Sequence, residues 1–118
     1  ELGANDMLRG IDPAVTRRAL DDILARLAKR KLPVLLCGMR AAPNLGPEYA
    51  RSFDAIFPEL AAAHGALLYP FFLEGVAADR SLNQGDGLHP LAAGVDVIVR
   101  GILPTVEQVI GEMRRAKP

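Results

Sequence analysis

A chain of 118 residues, half of them hydrophobic, suits one globular domain or a large part of one. Fourteen basic residues offset fourteen acidic ones and there is no Trp, so neither a basic footprint for nucleic acid or an anionic membrane nor a base-stacking surface is present. The single cysteine, Cys37, has no partner for an internal disulfide and no C-x-x-C or Cys/His spacing for zinc, and no apolar stretch approaches the ~18 residues of a membrane span.

Along the chain, Glu1-Leu2-Gly3 reads as the tail of a strand entering a loop. Asp12-Pro13 then starts a helix: Asp is a good N-cap, and Pro is tolerated at the first helical position, where its missing N–H has no partner to lose. This helix is predicted to run to about Arg30, with Val15, Ala19, Ile23, Leu24 and Leu27 as its apolar face. Arg26, Lys29, Arg30 and Lys31 gather at its end, where cations suit the macrodipole. Pro33 to Met39 is a continuous apolar run, the pattern of a strand covered on both faces. A loop rich in breakers follows from Arg40 to Pro47.

A second helix begins at Pro47 and carries Tyr49, Phe53, Ile56 and Phe57; Pro58 predicts a kink or restart, and Gly65 the end. Leu67-Leu68-Tyr69 is the next strand, extended by the apolar Phe71-Phe72-Leu73. Glu74 to Gly87 reads as irregular. A last helix is predicted from Pro90 to about Leu103, broken by Pro104, with a further amphipathic stretch to about Arg115. Strand, helix, strand, helix, strand, helix is the order of a parallel sheet with helices on both faces.

Two short motifs carry chemistry. Gly3-Ala4-Asn5-Asp6 follows a predicted strand end, and Asp86-Gly87-Leu88-His89-Pro90 precedes a predicted helix. Ligands of parallel α/β sheets gather outside the carboxyl ends of the strands, where such loops lie. A histidine titrates near neutrality, and a carboxylate three residues away in a turn can fix its tautomer and ring. Pro90 pushes His89 out of helical geometry and sets it beside a helix N-terminus, whose positive end disfavours imidazolium. Asn5 offers a carboxamide N–H to a developing oxyanion. Taken alone, each motif is also an ordinary turn, since Asn and Asp readily bond nearby backbone. A metal set built on Asp6, Asp86 and His89 lacks ligands.

Leu2 to Gly10, with its G-x-N-D core, resembles the third conserved block of the SGNH (GDSL) hydrolases, and Asp86-Gly87-Leu88-His89-Pro90 resembles their fifth, D-x-x-H. Between them, Pro47-Glu48-Tyr49, Phe53 to Ile56 and Tyr69 to Leu73 are similar to the thioesterase I / protease I / lysophospholipase and arylesterase branch. The resemblance implies a three-layer α/β/α sandwich with a flavodoxin-like parallel sheet. It implies hydrolysis of small-molecule acyl esters and thioesters through an acyl-serine intermediate, without a cofactor. Asn5 is then an oxyanion-hole donor, His89 the general base and acid, and Asp86 its orienting partner. Gly3 would allow close backbone approach, and the loop carrying Arg40, Pro43 and Asn44 would shape the substrate pocket. Relatives often carry signal peptides, which implies a periplasmic or secreted enzyme.

The chain departs from that pattern in lacking G-D-S-L with its nucleophilic serine, and the second block with its oxyanion glycine. Ser52, in a helical pattern, and Ser81, in a polar loop, read as surface residues. Cys37, inside an apolar run, reads as core and inert, and His64 as a favourable cation at a helix end. The 118 residues are therefore read as roughly the C-terminal two-thirds of a single family domain, beginning at a truncation or processing point. The N-terminal segment of the same protein, which would bring the serine and the central strand, is the expected partner. Alone, the chain is expected to be poorly stable or oligomeric through an exposed sheet edge. The rival expectation is a noncatalytic fragment whose role is association with that complement.

Overall fold

The computed structural model describes residues 1–115. The elements in chain order are α1 (Ala4–Leu8), α2 (Pro13–Lys29), β1 (Leu35–Cys37), a 3-10 turn (Pro43–Leu45), α3 (Pro47–Asp54), α4 (Ile56–His64), β2 (Leu67–Tyr69) and α5 (Ala92–Arg115). β1 and β2 pair in parallel, with Leu35, Leu36 and Cys37 opposite Leu67, Leu68 and Tyr69. Leu36 and Leu68 join a core with α2, α3 and α4, in which Phe53, Ile56 and Phe57 are essentially inaccessible. Burying each of these three side chains is worth about 1.5–3 kcal/mol. Alternation turns Tyr69 to the other side, where Gly101 of α5 lies against its hydroxyl. The sheet thus carries helices on both faces, the α/β layering expected of the fold.

Several boundaries follow the sequence chemistry. Asp12 caps α2, its Oδ1 accepting the Ala14 N–H at 2.8 Å. Gly65, in left-handed geometry, ends α4. The break between α3 and α4 falls at Ala55 rather than at Pro58. Pro58 becomes the third residue of α4, where its missing N–H leaves no helical bond unmade.

Four expectations are corrected. Glu1-Leu2-Gly3 is not a strand, and Asn5 and Asp6 lie in the short helix α1, not in a loop. The sheet of the described residues therefore has two strands. On α2 the inward residues are Thr16, Leu20 and Leu24, while Val15 and Ile23 are 44% and 39% exposed. Thr16 can face inward because its hydroxyl donates to Asp6 Oδ2 at 2.9 Å. The last helix begins at Ala92, two residues late, because Pro90 is held in an antiparallel bridge to Asn83. It also continues through Pro104. Position 104 is exposed, and so is Arg100, the residue whose carbonyl loses its helical partner to the proline, so the interruption falls on the solvent side of the helix. Ile98, Ile102 and Val109 keep one partly or fully buried stripe across the interruption.

The described chain is flat, 48 × 33 × 16 Å, with a radius of gyration of 15.3 Å. A compact domain of this length is closer to ~13–14 Å. A second stripe of α5, Val95, Val99 and Leu103, is exposed like that of Val15 and Ile23 on α2. No helix among the described residues is long and apolar enough to cross a membrane.

Candidate active site

Asn5 is presented by α1, a single tethered turn. The helix starts at Gly3, whose φ of +108° disfavours any side chain and whose backbone lies against Thr16 and Phe57. Asp6 is tied to Thr16 of α2. On the other side Met7 is buried, and its sulfur accepts the Ala42 N–H at 3.4 Å. Residues flanking Asn5 therefore fix the turn to two parts of the fold, while Asn5 itself is exposed. Among the described residues no hydrogen bond engages its carboxamide, which leaves both N–H groups for a ligand.

Asp86 and His89 form a closed unit. Asp86 Oδ1 accepts the backbone N–H groups of Leu88 and His89 at 2.9 and 3.1 Å, and Oδ2 lies 2.7 Å from His89 Nδ1. Gly87, at φ +70°, makes the reversal. The hydrogen bond from the His89 ring, with those from the two backbone amides, holds the Asp86 carboxyl down at about 2. An ionised carboxylate can only accept, so the proton of the neutral ring sits on Nδ1 and Nε2 keeps its lone pair. That is the tautomer a general base requires. The beginning of α5 at Ala92 leaves His89 three residues outside the helix, where the dipole argument is weak. Asp86, not the helix, orders the ring.

A testable consequence follows from the Asp86 shift. Its folded value lies below the ordinary 3.8, so the turn's contribution to stability is complete above that pH. It is lost as pH falls through about 2. A 13C titration of the Asp86 carboxyl should show a midpoint near 2. A midpoint near the ordinary ~3.9 would mean that the pair does not form in solution.

Asn5 and His89, from opposite ends of the chain, line the same cleft of 320 Å³. Its apolar wall is made by Met7, Leu8, Met39, Phe72, Leu73 and Leu88. Other residues singled out by the sequence lie elsewhere. Gly3 borders a neighbouring hollow with Thr16, Ala19 and Leu20, which Asn5 also lines. Arg40 stacks over Phe71 at 4.7 Å and approaches Glu74 at 3.8 Å; Pro43 and Asn44 form the 3-10 turn. None of these four is among the residues lining the cleft. Met39, immediately before Arg40, is.

The remaining nucleophile types are also placed away from it. Ser52, in α3, borders a different hollow with Asp12 and Tyr49. Ser81 donates its hydroxyl to Asp79 at 2.6 Å. Cys37 is buried, and burial pushes its thiol upward. His64 pairs with Asp21 of α2 at 2.6 Å, an interhelix contact rather than a second base. The sequence reading missed Asn83, a buried polar residue at the base of the Asp86–His89 loop. No motif marks it, because its partners are backbone carbonyls.

Comparison with known proteins shows the family. Residues 1–97 match the model of the GDSL-like lipase/acylhydrolase family. The chain is 36% identical over 110 residues to the esterase TesA of Pseudomonas aeruginosa, covering 93% of this chain and 55% of that protein. It is 40% identical over 90 residues to the thioesterase 1/protease 1/lysophospholipase L1 of Escherichia coli, covering 76% of this chain and 43% of that one. It superimposes on the crystal structure of AlinE4, an SGNH-hydrolase family esterase, with a TM-score of 0.71 and 51% identity, over 92% of this chain and 57% of the other. The chain thus spans about half the length of the curated relatives it matches.

Proposed function

The chain belongs to the GDSL-like lipase/acylhydrolase family, and from that premise we propose that it supplies the oxyanion donor and the Asp–His pair of a serine hydrolase acting on carboxylic esters, arylesters foremost, and on acyl thioesters. One observation carries the reading: Asn5 and an Asp86-bonded His89 line a single apolar cleft. The nucleophile in this proposal is a serine carried by an N-terminal segment of the same protein.

The chemistry then runs in two halves. His89 Nε2 takes the serine hydroxyl proton as the oxygen attacks the acyl carbon, and Asp86 stabilises the resulting imidazolium. The carbonyl π electrons move onto oxygen, where the Asn5 N–H groups meet the negative charge. Collapse expels the alcohol or thiol, which leaves with the proton from His89, and an acyl-serine remains. Water repeats the sequence, giving the acid and the free serine. The apolar wall of the cleft suits an acyl chain or aryl group. Export to the periplasm or beyond accompanies this proposal, in keeping with the family resemblance.

A second reading has its own support. The exposed stripes Val15–Ile23 on α2 and Val95–Leu103 on α5, with the flatness of the described chain, suit association with further sheet and helix. Under it these residues act as a noncatalytic association partner of an N-terminal complement. Hydrolysis of p-nitrophenyl butyrate separates the readings. Activity that is absent from these 118 residues and appears on mixing with a G-D-S-L-bearing complement is the result expected of a split serine hydrolase. Binding of the complement without activity would favour the second reading.

A further inference from the structure

Asn83 is buried, 7% exposed, in a part of the chain that is otherwise mostly open to solvent. Its Nδ2 donates to the carbonyls of Val76 at 2.7 Å and Asp79 at 2.8 Å, and Val76 is itself wholly buried. The backbone on either side of Asn83 closes the loop that carries the Asp–His pair. Asn83 bridges Pro90 in antiparallel fashion, the Gln84 N–H donates to the His89 carbonyl at 2.8 Å, and the Leu91 N–H donates to the Leu82 carbonyl at 2.8 Å.

The loop needs that anchorage. The side chains of Asp86 and His89 are 43% and 72% exposed, so packing does not hold them. An exposed pair of this kind is worth little by itself. Bonds within the loop, such as Gly87 N–H to the Gln84 carbonyl at 2.9 Å, set its shape but not its place. Place comes from the base. There the first turn of α5 packs closely on residues of the same base: a Cβ at Gly94 would fall 2.4 Å from the Leu82 carbonyl oxygen and 3.2 Å from Val76 Cγ1. The geometry points to Asn83 as a positioning residue for the hydrolytic site: its two hydrogen bonds lock the base of the loop and so hold the Asp86–His89 pair at the wall of the cleft it shares with Asn5.

This inference rests on the hydrolase reading, and its test keeps the two apart. In the intact protein that carries this chain, Asn83→Ala and Asn83→Asp are compared with wild type by 15N NMR of the His89 ring at a pH where it is neutral. Melting temperature, and kcat and KM for p-nitrophenyl butyrate, are read alongside. Wild type is expected to carry the ring proton on Nδ1. Both variants are expected to shift part of it to Nε2 and to lower kcat by about 10²-fold with little change in KM, the scale of a small misplacement of reacting groups. A variant that melts lower but keeps the Nδ1 proton and wild-type kcat would reduce Asn83 to a stability role. Should neither variant fold, wild type still decides: the side-chain amide protons of Asn83 must exchange slowly, and exchange at the solvent rate overturns the clamp. His89→Ala with undiminished esterase activity would instead sink the hydrolase reading.

Discussion

His89→Ala in the intact protein is expected to lower kcat for p-nitrophenyl butyrate by about 10⁴-fold or more, as loss of the base does in triad hydrolases. The 2.7 Å contact between Nδ1 and Asp86 commits the ring proton and leaves Nε2 as the basic nitrogen. Without that nitrogen, the serine proton has no acceptor and the leaving group no donor. Asp86→Asn should cost about 10⁴-fold by a different route, because an amide can donate to Nδ1 and so favours the wrong tautomer. Since the two residues act as a unit, the double variant should be little worse than His89→Ala alone. KM should move far less than kcat in all three. His89 is 72% exposed in its side chain, so its removal leaves no core cavity and folding should persist. An additive double variant, or a His89→Ala enzyme within tenfold of wild type, would show that the pair is an ordinary surface turn.

Asn5→Ala is expected to lower kcat by about 10²–10³-fold, the usual cost of one oxyanion donor. Its carboxamide makes no hydrogen bond among the described residues and the residue is exposed, so the melting temperature should stay within a degree or two of wild type, as for most surface substitutions. The loss should fall on kcat, because the donor meets charge that exists only in the tetrahedral state. Asn5→Asp should be at least as damaging, since a carboxylate would face the developing oxyanion. Equal rises in KM with kcat preserved would place Asn5 in ground-state binding and remove it from the proposed role. Thr16→Val makes an informative companion. It removes the hydroxyl that ties Asp6 to α2, and should weaken catalysis only through the position of α1.

Much of the site was legible because its chemistry is local. Asp86 and His89 are three residues apart, and Gly87 between them permits the turn that joins them. The cap at Asp12, the stop at Gly65 and the apolar run to Met39 likewise depend on a few adjacent residues. Legibility failed where a distant partner decides. A five-residue helix such as α1 is too short to show a period, so Asn5 read as a loop residue. On α2 apolar spacing favoured Val15, Ala19 and Ile23. Thr16 faces the core instead because Asp6 satisfies its hydroxyl. Pro104 read as a stop, but a proline on the exposed side of a helix costs one bond whose carbonyl water can serve.

By itself, then, the sequence determined the alternation of α and β, the family resemblance and the pairing of Asp86 with His89, since each rests on turn chemistry or contiguous hydrophobicity. Tertiary structure alone decided three further things. It brought Asn5 and His89, far apart in the sequence, onto one cleft, left Arg40, Pro43 and Asn44 off its lining, and buried Asn83 with two hydrogen bonds at the base of the Asp86–His89 loop. The physical reason is common to all three. Which side chain faces which depends on the packing of α2 against α3 and α4 and of α4 and α5 against the strands, and contacts between residues far apart leave no spacing for a sequence to display.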